Sequence, residues 1–256
     1  MYKVDLNSDI GESFGAYKMG DDAAILNYVT SANVACGFHA GDPLVMKKTI
    51  AACAEKGVSP GAHPGYPDLV GFGRRNMKCT PEEEYADCLY QIGALRAFCK
   101  ANGIELQHVK PHGAMYNQAA KDPALARAIV KAVKDAGGEL ILMGLANSEF
   151  EKAAAEAGVS FAPEAFADRG YMPDGSLVPR SQPGAIIHDV DAASKRVVRM
   201  VTEGTAECAD GTVIKLRPQS ICMHGDTPEA VEMARTVRAA LEAAGVEVTN
   251  LKEVLK

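Results

Sequence analysis

Long apolar runs are missing from this chain: none approaches the roughly 18 to 20 residues that a bilayer span needs, so no segment is expected to cross a membrane. A surplus of basic charge is missing as well. With 27 Lys and Arg against 33 Asp and Glu, the formal net charge is -6. That argues against nucleic acid and anionic membrane surfaces as partners, and for small molecules or other proteins. The seven cysteines contain no C-x-x-C pair and no apolar leader follows Met1, so free thiols in a cytoplasmic setting are expected. There is no Walker A loop, dinucleotide fingerprint or kinase motif, and no H-E-x-x-H pair, so no single element announces a phosphate cradle or a zincin-type metal site. Internal repeats, low-complexity tracts and interdomain linkers are also absent. Residues 1–256 are therefore read as one domain.

What is present is an alternation of short β-branched or apolar runs with longer amphipathic stretches, the signature of βαβ units around a parallel sheet. Strands are expected near 3–7, 32–36, 58–62, 106–110, 139–143, 159–163 and 219–223. Helices are expected near 43–56, 81–102, 122–136, 147–157, 189–203 and 227–244, with a short one near 250–255. About seven β/α units result, an α/β barrel. Asp42-Pro43, Thr80-Pro81, Asp122-Pro123 and Thr227-Pro228 each set a capping side chain before a proline at the first helical position. Gly57, Gly103, Gly137, Gly158 and Gly245 follow helical runs as left-handed C-terminal caps do. An irregular insertion near 168–188 carries turn signals and no helical period, which suggests a lid or a subunit contact. A small hairpin is expected near 204–217.

Side chains at the C-terminal ends of parallel strands face one shared mouth, where such barrels keep their chemistry. Alternation puts Asp5, Asn7 and Asp9 on one face of the first strand, turned into the barrel, with Glu12 just beyond. The second strand runs into His39, the third into His63, the fourth into Lys110 and His112, the sixth into Glu164, Asp168 and Arg169, and the last into His224. Four of the six histidines thus occupy equivalent places in different units. His108, inside a strand, and His188, ahead of a helix, are read as structural. Cys36 and Cys222 are read as small buried strand residues. Arg74 and Arg75 are either an anion clamp or a solvated charge pair.

The segments Asp5-Leu6-Asn7-Ser8-Asp9-Ile10-Gly11-Glu12, Asn33-Val34-Ala35-Cys36-Gly37-Phe38-His39-Ala40-Gly41-Asp42-Pro43, Gly61-Ala62-His63-Pro64-Gly65-Tyr66-Pro67-Asp68, Val109-Lys110-Pro111-His112-Gly113-Ala114-Met115-Tyr116-Asn117 and Glu164-Ala165-Phe166-Ala167-Asp168-Arg169-Gly170-Tyr171 closely resemble the LamB/YcsF family. The likeness extends through Cys222-Met223-His224-Gly225-Asp226 and so spans essentially the whole chain. It implies a (β/α)7 TIM-like barrel of the glycoside hydrolase/deacetylase type. It also implies ATP-dependent cleavage of 5-oxo-L-proline to L-glutamate, with ATP and Mg2+ as co-substrate of a complex with two further 5-oxoprolinase subunits, B and C. A homo-oligomer is compatible with it, and no tightly bound cofactor is expected.

Set against that chemistry, Asp9, Glu12, His63, His112 and Lys110 are the expected catalytic groups, as general base or as stabilisers of developing charge. Asp5, Asn7, His39, Glu164, Asp168, Arg169 and His224 are the expected substrate contacts. A metal is not expected; if one is bound, Asp9, His63 and His112 are its ligands. Two rival readings stand beside this one. A metal-dependent hydrolase or deacetylase acting on a small amide or carbohydrate would use the same residue types. A non-enzymatic binding subunit would have little need of so many titratable groups.

Overall fold

The computed structural model describes residues 2–223 and 230–256. Seven strands, β1 (Lys3–Ile10), β2 (Ser31–Ala35), β3 (Ser59–His63), β4 (His108–Val109), β5 (Ile141–Leu145), β6 (Ser160–Phe166) and β9 (Ser220–Cys222), pair in parallel in the order β1-β2-β3-β4-β5-β6-β9. The sheet closes on itself where Asp5, Leu6 and Asn7 of β1 meet Ser220, Ile221 and Cys222 of β9. The outer layer comprises α2 (Pro43–Lys56), α3 (Pro81–Ala101), α5 (Pro123–Asp135), α6 (Glu149–Ala157), α7 (Val190–Glu203) and α8 (Ala230–Ala243). This is the (β/α)7 TIM-like barrel that the alternation of elements and the family resemblance imply.

Local chemistry sets the element boundaries. Asp42 accepts from the Leu44 and Val45 amides ahead of Pro43, and Gly57 closes α2 in the left-handed region. Thr80 and Glu83 form a reciprocal capping box at the start of α3. The Thr227-Pro228 cap expected for α8 lies outside the described residues. Two short helices depart from the sequence reading: α1 (Asp22–Ile25) and α4 (Gly113–Ala119) fall where loops are expected. Four and seven residues are too few to display a helical period. An antiparallel hairpin, β7 (Thr205–Glu207) with β8 (Val213–Lys215), precedes β9. At the chain's end, β10 (Glu247–Val248) pairs with Lys3 and Val4 at the start of β1, and α9 (Leu251–Val254) follows it.

Strand alternation divides the barrel into two chemistries. Outward residues Leu6, Val34, Ala62, Val109, Leu142, Ala165 and Ile221 join the apolar core beneath the helices. Inward positions carry Asp5, Asn7, Asp9, Asn33, His63, His108, Glu164 and Ser220, where barrels of this type usually stack branched aliphatics. Only the β5–β6 side is greasy within: Ile141, Met143 and Ala162 pack with Leu251 and Leu255.

Gly61 of β3 sits opposite His108 of β4, and a Cβ there would overlap the His108 imidazole. Gly61→Ala is therefore expected to lower stability by ~3 kcal/mol, the upper end for overpacking. Urea unfolding of the two proteins measures it, and a loss below about 1 kcal/mol would show that the ring has room to move.

Candidate active site

A hydrogen-bonded column rises through the barrel. At its foot the Asp5 carboxylate accepts from the hydroxyls of Thr30 (2.7 Å), Ser31 (2.6 Å) and Ser220. One layer up, Asn7 Nδ2 donates to Glu164 Oε1 (3.0 Å) and Ser220 Oγ (2.7 Å). Asn33 Nδ2 then bridges Asn7 Oδ1 (2.7 Å) and Asp9 Oδ1 (2.8 Å). His108 Nε2 donates to Asn33 Oδ1 (2.7 Å), and burial, reinforced by the Lys110 ammonium, pushes that imidazole down to about 3. His108 is therefore a satisfied neutral core group, the structural role expected of it.

Three of the residues expected to touch substrate stand inside this column. Asp5, Asn7 and Glu164 are fully buried, and their polar atoms are engaged with neighbours, Glu164 also accepting from the Tyr116 hydroxyl at 3.0 Å. They support the mouth from below. Burial pushes the Asp5 carboxyl up to about 6, outweighing the three hydroxyls that favour its anion. Between pH 4 and 6 the folded protein thus holds this proton more tightly than the unfolded chain, so stability falls as pH rises through that window. Asp5→Asn abolishes this loss. The stability difference, variant minus wild type, should climb by ~2 kcal/mol from pH 4 to 6 and level off by about pH 7, as read by denaturation at each pH. A difference that does not change with pH would show that Asp5 is not perturbed.

At the mouth, Lys110 Nζ lies 2.8 Å from Glu164 Oε1, 3.1 Å from Asp9 Oδ1, 3.2 Å from Asn7 Oδ1 and 3.1 Å from Cys222 Sγ. Burial alone would drive this amine toward neutrality, but the Asp9 and Glu164 carboxylates outweigh it and hold it protonated. Cys222 is buried as expected, yet it is also a contact of this lysine, which its strand position did not reveal. His63 Nδ1 donates to the Lys110 carbonyl (2.7 Å), and its Nε2 lies 3.4 Å from Asp9 Oδ1 and 3.0 Å from His112 Nδ1. His112 Nε2 donates to the Phe72 carbonyl at 2.9 Å.

Gly11, at φ +70°, turns the chain after β1 and brings Glu12 Oε1 to 3.3 Å from His39 Nε2 and 3.8 Å from His112 Nδ1. His39 stacks face to face on His112 at 3.7 Å. Burial first, then the neighbouring imidazoles, hold His39 and His112 well below the usual histidine range. His39, expected from the sequence to touch substrate, is buried against Glu12 and His112 and supports the cluster.

Above these groups opens a cavity of about 880 Å³, within the range of small-molecule sites. Asp9, His63, Lys110 and His112 line it together with Tyr116 and Phe166, and Arg74, Lys121, Arg169 and Arg180 bring positive charge to its walls. Arg169 has a further duty, since its Nε and Nη2 donate to the carbonyls of Ala185 (3.0 Å) and Val178 (2.7 Å). It pins the insertion, whose residues Ser176 to Arg180 form part of the cavity wall. Its place on the cavity wall matches the position expected of a substrate contact, while Nε and Nη2 are taken by backbone. Arg75 pairs with Asp68, whereas Arg74 reaches the cavity. Asp168 is partly exposed at the root of the insertion, and His224 lies outside the described residues. Tyr116, Asn33 and the Phe72 carbonyl were not singled out from the sequence. Four ligand-type side chains, Glu12, His39, His63 and His112, place one donor atom each within 4.8 Å of one another.

Fold and site together define a β/α-barrel protein with a polar C-terminal mouth. A structure described as the T48 deacetylase with substrate shares that barrel at a TM-score of 0.52 and 13% identity, covering 99% of this chain and 90% of that one. At that identity the likeness is one of fold alone. The chain belongs to the LamB/YcsF family, whose model matches residues 4–256. It is 56% identical over 253 residues to the A subunit of 5-oxoprolinase from Bacillus subtilis (strain 168), covering 99% of this chain and 98% of that protein. The crystal structure of the lactam utilization protein from Thermus thermophilus superposes with a TM-score of 0.92 at 51% identity, covering 96% of this chain and 99% of that one.

Proposed function

We propose that this chain is the hydrolytic A subunit of an ATP-dependent 5-oxoprolinase, opening the lactam ring of 5-oxo-L-proline to give L-glutamate. The observation that carries the reading is the convergence of Asp9, His63 and Lys110 at the base of a small-molecule cavity. The names of the relatives supply the substrate. A five-membered lactam is a poor electrophile, and a phosphoryl group on its oxygen, taken from ATP with Mg2+, activates the ring carbon: water adds there, the C–N bond breaks as the departing amine takes up a proton, and a second water releases phosphate from the acyl phosphate that results. Phosphoryl transfer is assigned to subunits B and C, and ring opening to this chain. Asp9, held through Oδ1 by Asn33 and Lys110, takes a proton from the attacking water. The Lys110 ammonium stabilises the negative charge that develops on oxygen, and Arg74 on the cavity wall suits the substrate carboxylate.

The test is glutamate formation from 5-oxoproline and ATP with and without the two partner subunits. Full activity is expected only with all three. No glutamate from the complete set would remove the substrate assignment. Oxoproline-dependent ATP hydrolysis at full rate by this chain alone would overturn the division of labour. Among the described residues no helix is long and apolar enough to cross a membrane, and a cytoplasmic setting is proposed with the function.

A further inference from the structure

The geometry points to a binding site for one divalent transition-metal cation, held by Glu12, His63 and His112, with His39 keeping Glu12 in place. The site adjoins the groups given to ring opening above, but its ligands are the same whatever the substrate is.

Two backbone carbonyls set the protonation of the cluster. A carbonyl oxygen only accepts, so the hydrogen bonds from His63 Nδ1 to Lys110 (2.7 Å) and from His112 Nε2 to Phe72 (2.9 Å) fix where each ring carries its proton. In the neutral rings the remaining nitrogens, His63 Nε2 and His112 Nδ1, carry lone pairs, and they face each other at 3.0 Å. Further acceptors close in on them. Asp9 Oδ1 lies 3.4 Å from His63 Nε2, and Glu12 Oε1 lies 3.8 Å from His112 Nδ1. Such a convergence of lone pairs is repulsive unless a proton or a metal cation sits among them, and a metal can engage the carboxylate as well as both rings.

The spacing fits a metal. Nitrogens ~2.1 Å from one ion and 3.0 Å apart subtend about 90° at it, the angle of adjacent ligands in a five- or six-coordinate site. Glu12 Oε1 is within roughly 0.5 Å of the separation from His112 that a shared ion in tetrahedral geometry would give. Asp9 is already engaged by Lys110 and Asn33, so Glu12 takes the carboxylate place that the sequence reading gave to Asp9. His39 Nε2, 3.3 Å from Glu12 Oε1, is the outer group that orients a ligating carboxylate.

The scaffold keeps the rings from spreading apart. A Cβ at Gly73, where φ is +61°, would lie 2.6 Å from His39 Cβ and 2.9 Å from His112 Cδ2, and one at Gly65 would lie 2.7 Å from His39 Nδ1. Glycine backbone therefore packs directly on the imidazoles. Two imidazoles and one carboxylate select zinc, cobalt, iron or nickel over magnesium and calcium.

The experiment uses the full chain stripped by chelator dialysis. Zinc bound after re-addition is counted by elemental analysis, and cobalt is titrated while its visible absorption is followed. One ion per chain is expected, bound more than 100-fold more weakly by Glu12→Gln and His63→Ala and ~10- to 100-fold more weakly by His39→Ala. Circular dichroism checks that each variant is folded. If the variants do not fold, broadening of the His63 and His112 ring signals by cobalt in the wild-type protein decides. Stoichiometry well below one, undiminished binding by folded Glu12→Gln and His63→Ala, or unaffected ring signals would overturn the site. Glutamate formation by the reconstituted complex is read separately. Metal binding without glutamate removes the oxoprolinase reading and keeps the site, and glutamate from a chain that binds no metal does the reverse.

Discussion

Lys110→Met is expected to cost the protein roughly 3–5 kcal/mol of stability and all measurable ring opening. Methionine fills the aliphatic length of the lysine but removes the charge from between Asp9 and Glu164, 3.1 and 2.8 Å from its ammonium. The buried carboxylate of Glu164 and the largely buried one of Asp9 would then share one pocket without their cation, which is more costly than never having had the pair. For a chain of this size such a loss lowers Tm by roughly 6 to 10 °C. A second substitution separates the electrostatic from the chemical role. Glu164→Gln placed on Lys110→Met removes one of the stranded charges and should recover at least half of the lost stability, while activity stays absent. Calorimetry and denaturant unfolding check the first expectation and turnover by the reconstituted complex the second. A single-variant loss below about 1 kcal/mol would mean that water reaches and screens these carboxylates.

Asp9→Asn is expected to act the other way round, leaving the fold almost unchanged and removing the chemistry. The amide oxygen can still accept from Asn33 Nδ2 and Lys110 Nζ, now at 2.8 and 3.1 Å from Oδ1, so the top of the column keeps its bonds. What disappears is a basic oxygen at the cavity wall. A fall in kcat of about 10²- to 10⁴-fold with little change in KM is the expected signature of a lost general base. A drop of less than tenfold would move that role elsewhere in the cluster.

Much of the architecture could be read from local chemistry because it is written locally. Asp42-Pro43, Thr80-Pro81 and the glycine caps mark helix boundaries that the structure reproduces to within a residue or two. The inward face of β1 followed from simple alternation. Depth along the strand did not, because periodicity says which face a residue occupies and not how far it stands from the mouth. Asp5 and Asp9 share a face, yet four residues of strand put ~13 Å between them. One ends in the floor and the other in the cavity.

The pairing of Glu12 with His39 depends on the left-handed turn at Gly11, which carries the chain out of strand alternation. The proton positions on His63 and His112 are set by main-chain carbonyls, which no side-chain pattern reports. The second duty of Arg169 is hidden for a related reason: its type suggests an anion, and its bonds to the backbone oxygens of its own insertion leave no mark in the side-chain pattern.

The barrel's underside bears on how the molecule is made. β1 is bonded to β2 near its end, to β9 along its middle and to β10 at its start, while Leu251 and Leu255 stopper the greasy side of the lumen. Strand β1 therefore finds its last neighbours, Glu247 and Val248, only after all the barrel between them has been made. Such distant pairings slow folding, and until they form, Ile141, Met143 and Ala162 stay open to unwanted company. A nascent chain halted before residue 247 should accordingly engage chaperones that the released protein ignores.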